Sequence, residues 1–406
     1  MSTRHRQINL QPKPDTPARQ PQAPGFALFA LGFRPFYLLA ALVAAASVPV
    51  WLLEYLGAVP APGPIAGIAW HMHEMVFGFA VAVITGFLFT AGRNWTGQPT
   101  PTGAPLAGLA ALWIAARVLL VTGPGPVAAA VDLAFLPLVA WSFWKPLKAA
   151  QNRRNYFFVG LLAALALLNL CFYLAVFGVA PLAPVTPIRA ALYIVVLMVA
   201  IMGGRVIPMF TQNAVPSARV RRSIGLDRWA LGALAAALAL DVLDASGWVV
   251  APVAAAAAVL HAVRLARWDP AATVGRPIVW ILHASYAWIP LGLALIAASA
   301  LVPGLPRLVA LHALAIGAVG GMIVGMITRT ALGHTGRPLT AGLAETSAYV
   351  LVQLAALVRV FGGLLLPALY RETLLVSAAL WAAAFAVYLV AYTPILTFAR
   401  VDGKPG

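Results

Sequence analysis

Long apolar runs, separated by short polar or Pro/Gly-rich breaks, set the pattern of the chain. They fall at 35–56, 69–91, 105–122, 126–144, 155–179, 187–209, 229–246, 249–265, 277–300, 306–328, 344–364 and 373–397. A membrane-spanning helix takes about 20 predominantly apolar residues, so nearly every run is long enough to cross a bilayer. The breaks are made of helix-ending residues: Pro60-Ala61-Pro62-Gly63-Pro64, Gly123-Pro124-Gly125-Pro126 and Pro303-Gly304-Leu305-Pro306. The weakest pair is 229–246 and 249–265, which is short, Ala-rich and carries Asp241 and Asp244. It reads either as two spans or as one re-entrant hairpin. The pattern predicts an all-α polytopic membrane bundle of about twelve transmembrane helices over residues 31–400. A tail at 1–30 precedes it and a short C-terminus at 401–406 follows.

Composition agrees. Hydrophobic residues make up 62% of the 406 and charged residues 9%, with a mean hydropathy of +0.90. A soluble fold carries roughly 25% charged residues, so a soluble protein is excluded, as are disorder, collagen and coiled coil. Residues 1–25 are polar and rich in Pro and Gln, and lack the apolar core and cleavage site of a signal peptide. They are expected to be a disordered cytoplasmic tail. The single cysteine, Cys171, lies in an apolar run and allows no disulfide within the chain.

The net charge of +16 reads as the positive-inside bias of a membrane protein rather than as a nucleic-acid surface. With twelve spans and the N-terminus inside, 21 of the 27 Lys and Arg fall in cytoplasmic segments. External loops and their edges hold three, Arg189, Arg307 and Arg371, and helix interiors hold Arg117, Arg205 and Arg359. A missed span would invert the asymmetry downstream, so the count and two cytoplasmic termini support one another.

Ionisable groups inside a bilayer are costly and are candidates for function. Depth along each span, at ~1.5 Å per residue, sorts six histidines into two layers. The outer layer holds His71, His73 and His312, a set suited to a metal because neutral imidazole ligates iron, copper and zinc. In a regular helix His71 and His73 point ~200° apart, so they serve different partners. His73 with His312 is the expected pair on one metal. Arg117 and Arg359 share this depth, with Arg189 and Arg307 just above, and cations beside imidazoles suit a haem and its propionates. Snorkelling arginines and carbonyl-bonded histidines are the plainer alternative. The inner layer holds His261, His283 and His334, near Arg205, as a second metal site or a polar network joining helix ends. Glu74 and Glu345 are candidate proton carriers or hydrogen-bonded structural groups. Gly317, Gly321 and Gly325, at spacing four, suit close approach of another helix. Met322 and Met326 are packing residues or thioether ligands.

Several segments in order resemble the NnrS family of bacterial inner-membrane proteins. They are Gly32-Phe33-Arg34-Pro35-Phe36, Trp70-His71-Met72-His73-Glu74-Met75, Asn94-Trp95-Thr96-Gly97 and Asn152-Arg153-Arg154-Asn155-Tyr156-Phe157. Gly204-Arg205-Val206-Ile207-Pro208, Trp280-Ile281-Leu282-His283 and the run from His312 to Pro338 complete the set. The resemblance implies twelve spans in a bacterial inner membrane, haem and copper as cofactors, and a part in nitric oxide response, nitrosative-stress resistance and denitrification. Its partners are then the lipid bilayer and nitric oxide or a related small molecule, with no nucleic acid and no known protein partner. The other function class is a twelve-span proton-coupled secondary transporter using intramembrane histidines. The loop Gly92-Arg93-Asn94-Trp95-Thr96-Gly97 lacks the acid of the major facilitator signature, and no adjacent His-His pair of a haem–copper oxidase occurs.

Overall fold

The computed structural model describes residues 25–404 apart from Pro62 and Ala66. The tail expected over 1–30 therefore lies mostly outside the described residues. Twelve long helices carry the fold. They are α1 (Phe33–Tyr55), α2 (Gly67–Thr96), α3 (Gly103–Thr122), α4 (Gly125–Ala149), α5 (Phe157–Val176) and α6 (Val185–Ala214). They continue with α7 (Ile224–Val242), α8 (Gly247–Ala266), α9 (Pro277–Leu301), α10 (Arg307–His334), α11 (Leu343–Leu365) and α12 (Tyr370–Thr397). The protein is thus an all-α polytopic bundle. Eleven of these helices are long and apolar enough to cross a membrane. The twelfth is α7, one half of the pair the sequence marks as weakest, which carries Asp227, Arg228 and Asp241.

The chain ends show how many times the bundle is crossed. The Ala27 amide donates to the Thr397 carbonyl at 2.7 Å, and the Ala399 amide to Gly25 at 3.0 Å. Arg34 donates to the carbonyls of Leu396 (2.9 Å) and Phe398 (2.8 Å). The segment before α1 and the segment after α12 therefore meet at one end of the bundle. An even number of crossings follows, so α7 cannot be left out alone: it and α8 cross as a pair or turn back as a pair.

Local signals end the helices where lipid exposure would leave backbone groups unsatisfied. Gly97, at φ 66°, closes α2 as its amide bonds to Arg93 at 2.9 Å, a left-handed cap that glycine adopts without strain. Ser223 caps α7 by accepting from the Leu226 amide at 3.4 Å. Leu42, Ile114, Leu167, Val259 and Val390 are exposed on the outer faces, where a bilayer would cover them.

Two helices form the centre. The apolar windows of α2 and α10 are 78% and 67% buried, against 28–56% for the other nine apolar spans. The glycine stripe of α10 lets α9 approach, as its spacing suggests. A Cβ on Gly325 would stand 2.8 Å from Leu282, and one on Gly321 2.5 Å from Ser285. The most buried helices are thus the ones that carry His71, His73 and His312.

Candidate functional site: a cavity lined by two histidines

The helices α1, α2, α6, α10, α11 and α12 enclose a cavity of ≈ 170 Å³. It lies near the end of the bundle opposite the chain termini. His71 and His312 sit four and five residues into α2 and α10, ~6–8 Å along each axis. Arg189, Arg359, Trp51 and Trp381 complete the polar and aromatic part of the lining, and aliphatic side chains cover most of the rest.

The two imidazoles are presented differently. His312 Nδ1 lies 2.8 Å from the Leu308 carbonyl. A carbonyl only accepts, so Nδ1 carries the proton and the Nε2 lone pair is left open. A ring held through Nδ1 to a backbone carbonyl is the arrangement that orients a metal-ligating histidine. His71 stacks on Trp51 with ring centroids 4.3 Å apart, and its Nδ1 is buried without a hydrogen-bond partner. Arg359 is within electrostatic reach of both rings.

Departures from α-helical winding mark the same helices. Within α2, Glu74–Ala80 is π-helical, as are Ala313–Gly320 in α10 and Val358–Gly362 in α11. Among the described residues these are the π-helical segments: one contains Arg359, one directly follows His312, and one begins directly after His73, three residues beyond His71. Widened turns of this kind are rare and concentrate at functional sites.

His73 does not share this cavity, so the expected His73–His312 pair is corrected by the geometry to His71 with His312. His73 Nδ1 faces Glu74 Oε1 at 3.1 Å, and Nε2 faces Asn169 Oδ1 at 3.1 Å and Asp132 Oδ2 at 3.2 Å. Both nitrogens point at oxygen acceptors, which leaves no lone pair for a metal. Arg117 completes the group by bonding Asp132, with Nε 3.5 Å from Glu74. Asn169 and Tyr173 donate to Asp132 Oδ2 at 2.7 and 3.1 Å. Two carboxylates thus face a guanidinium and an imidazole in a compensated buried network joining α2, α3, α4 and α5. Asp132 was not among the sequence candidates, although an acid within an apolar run is itself a signal.

The expected ring of cations divides accordingly. Arg117 is committed to Asp132 and Glu74. Arg307 pairs with Asp241 at 3.1 Å and with Asp244 at 2.7 Å. Arg189 pairs with Asp244 at 3.1 Å, and its Nε is buried without a hydrogen bond. Arg205 lies towards the other end of the bundle, bonded to Asn155 at 3.1 Å and over the rings of Phe157 and Phe158. Arg359 makes a 3.4 Å contact with the Tyr370 hydroxyl and has no carboxylate partner among the described ion pairs. It is the cation best placed to meet an acidic group in the cavity.

The inner histidines are not gathered into one site. His261 uses both nitrogens, Nε2 donating to the Ala230 carbonyl at 3.1 Å and Nδ1 accepting from the Tyr286 hydroxyl at 2.7 Å. His283 Nε2 meets Thr211 Oγ1 at 2.8 Å, while its Nδ1 is buried without a partner. His334 packs against the Phe33 ring, with centroids 5.6 Å apart. Glu345 is a helix cap rather than a mid-membrane carrier. It accepts from the Gly342 amide at 2.8 Å and from the Tyr392 hydroxyl at 2.7 Å.

Among the described residues no three His, Cys, Asp or Glu side chains converge on a common metal position. Two imidazoles on separate helices are too few for an all-protein tetrahedral site. They do suit a planar macrocycle that brings its own in-plane donors and asks only for axial ligands. The open Nε2 of His312 and the unpartnered Nδ1 of His71 are the imidazole donors that a haem would use. The guanidinium of Arg359, which has no carboxylate partner among the described residues, would meet its propionates. The cavity of ≈ 170 Å³ would have to widen to take the ring. The family model described as NnrS protein matches residues 27–400. No curated protein matches the chain.

Proposed function

The chain belongs to the NnrS family of multi-pass membrane proteins, and from that premise we propose that it is a haem- and copper-containing protein of a bacterial inner membrane that acts in the response to nitric oxide. The observation that carries this reading is that His71 and His312, on separate helices, line one cavity, each with a nitrogen free of any hydrogen bond. His312 would hold the iron through Nε2, and His71 from α2. Arg359, with the Nε of Arg189, would meet the propionates.

Haem iron, when bound, would supply redox chemistry towards nitric oxide. The chain contributes the remainder. The Leu308 carbonyl fixes the plane and tautomer of His312, and Trp51 fixes the plane of His71. The mostly aliphatic walls keep out bulk water and admit an apolar gas that already dissolves in the bilayer. The buried network of Asp132, Glu74, Arg117 and His73 holds α2 in register, so that His71 stays at the cavity.

The transporter alternative asks for titratable groups free to exchange protons. Glu74 and Asp132 are both paired with Arg117, and Glu345 caps α11. These observations favour the cofactor reading. Its test is a visible absorption spectrum of the purified protein with metal analysis. A Soret band with bound iron supports it, whereas a colourless, metal-free protein that carries proton-coupled solute flux overturns it.

A further inference from the structure

A second cavity, of ≈ 90 Å³, lies between α2, α6 and α10. It adjoins the histidine-lined cavity, since Val195 and Val319 line both. Four methionines face it: Met198 and Met202, one turn apart on α6, and Met322 and Met326, one turn apart on α10. Met72 and Met75 line the first cavity. Six of the eight methionines of the chain therefore border two contiguous spaces. Methionine used as core filler occupies gaps with its flexible side chain, and close packing leaves few voids beside it. Here four thioethers border a void.

We propose that Met198, Met202, Met322 and Met326 form a binding site for a soft monovalent metal ion, Cu(I) in the cell. The inference deepens the copper part of the reading above, and rests on it only for the identity of the ion. No charged or carboxylate side chain lines the cavity among its described residues. A hard divalent ion would lose its hydration there without an oxygen ligand or counter-charge in return. A soft monovalent ion has a smaller desolvation cost, and polarisable thioether sulfur is its preferred donor. The i, i+4 spacing places two sulfurs on one face of each helix, so two facing helices offer up to four donors. Met72 and Met75 supply soft donors on the path from the outer cavity.

The test uses the full-length protein with Cys171→Ser, so that no thiol competes, kept reduced and free of oxygen. Cu(I) affinity is read by competition with a chromophoric chelator, Ag(I) serves as a redox-silent probe, and X-ray absorption reports the ligand shell. The unmutated methionine set is expected to hold one Cu(I) with an all-sulfur shell. Changing all four methionines to Leu should weaken binding by more than about 100-fold, beyond the 10–100-fold effect of losing an outer-shell partner. Methionine to leucine swaps conserve volume and cost little packing. Should the fourfold variant fail to fold, the pair Met198→Leu with Met322→Leu and the ligand shell of the parent protein decide. A nitrogen or oxygen shell, or unchanged affinity in a folded variant, overturns the site. Sulfur-bound Cu(I) in a protein without a Soret band would sink the haem reading alone. A haem-loaded protein with nitrogen-bound copper would sink this inference alone.

Discussion

His312 donates through Nδ1 to the carbonyl of Leu308, one helical turn earlier, at 2.8 Å. That bond fixes the tautomer and directs the open Nε2 away from its own backbone. The turn that follows, Ala313–Gly320, is π-helical, so the helix departs from regular winding directly after the ligand it presents. In α2 the π-helical Glu74–Ala80 begins directly after His73, three residues beyond His71.

Arg359 and Arg117 were alike to sequence reasoning but have different surroundings, and their variants should separate. Arg359→Leu is expected to lower haem retention, because a cation without a carboxylate partner leaves the cavity. It should barely change thermal stability. Haem content per protein and melting temperature in detergent check both parts, and normal haem content in Arg359→Leu would remove the propionate role.

Arg117→Leu should do the reverse. Breaking a buried ion pair from one side strands the other charge and costs about 3–5 kcal/mol. The stranded groups here are Asp132 and Glu74, so the melting temperature should fall. Pairing Arg117→Leu with Asp132→Asn should recover part of the loss. A double-mutant cycle showing no coupling would contradict the network.

Asp244 lies between α7 and α8 and gives a pH signature. The hydrogen bond from Arg307 holds its carboxyl below the usual range, and Arg189 adds to the effect. A carboxylate with a depressed folded pKa contributes stability that is present above its unfolded value of about 4. That stability is lost as the pH falls through the depressed value. Asp244 is largely exposed, so the contribution is small and screened by salt. Asp244→Asn should flatten the acid limb of thermal stability below about pH 4, most visibly at low ionic strength. An unchanged acid limb would show that the Arg189–Arg307 cluster does not need this carboxylate.

The meeting of residues 25–27 with 397–399 puts both chain ends on one side, and the charge asymmetry assigns that side to the cytoplasm. A reporter fused after Gly406 should be active if it functions in the cytoplasm and silent if it functions outside. The opposite result would invert the bundle.

Much of the fold was legible because length and hydropathy alone specify spans in a bilayer. The doubtful pair at 229–265 was doubtful for a physical reason, since Asp227, Arg228 and Asp241 put three charges into the 19 residues of α7. The glycine stripe of α10 named its own partner face. Which histidine faces the cavity was not legible. A buried membrane helix is apolar all round, so periodicity gives no inside and outside, and the π-helical turn after His73 alters the register further. The partners of Arg117 were hidden as well, because Glu74 and Asp132 are remote in sequence from it and from each other. The capping role of Glu345 was hidden because the helix start at Leu343 shows only in the bond from the Gly342 amide.

The central claim is that His71 and His312 hold one haem in the cavity between α2 and α10. The most direct measurement is the set of visible and electron paramagnetic resonance spectra of the purified wild type, His71→Ala, His312→Ala and His73→Ala proteins, with and without added imidazole. The expected result is a Soret band in the wild type that is lost or shifted in His71→Ala and His312→Ala. Imidazole should restore it by filling the space left by the ring, while His73→Ala keeps the wild-type iron spectrum with lowered stability. Wild-type haem content and spectra in both His71→Ala and His312→Ala would contradict the claim and move the iron elsewhere, with His283 and its unpartnered Nδ1 the next residue to change.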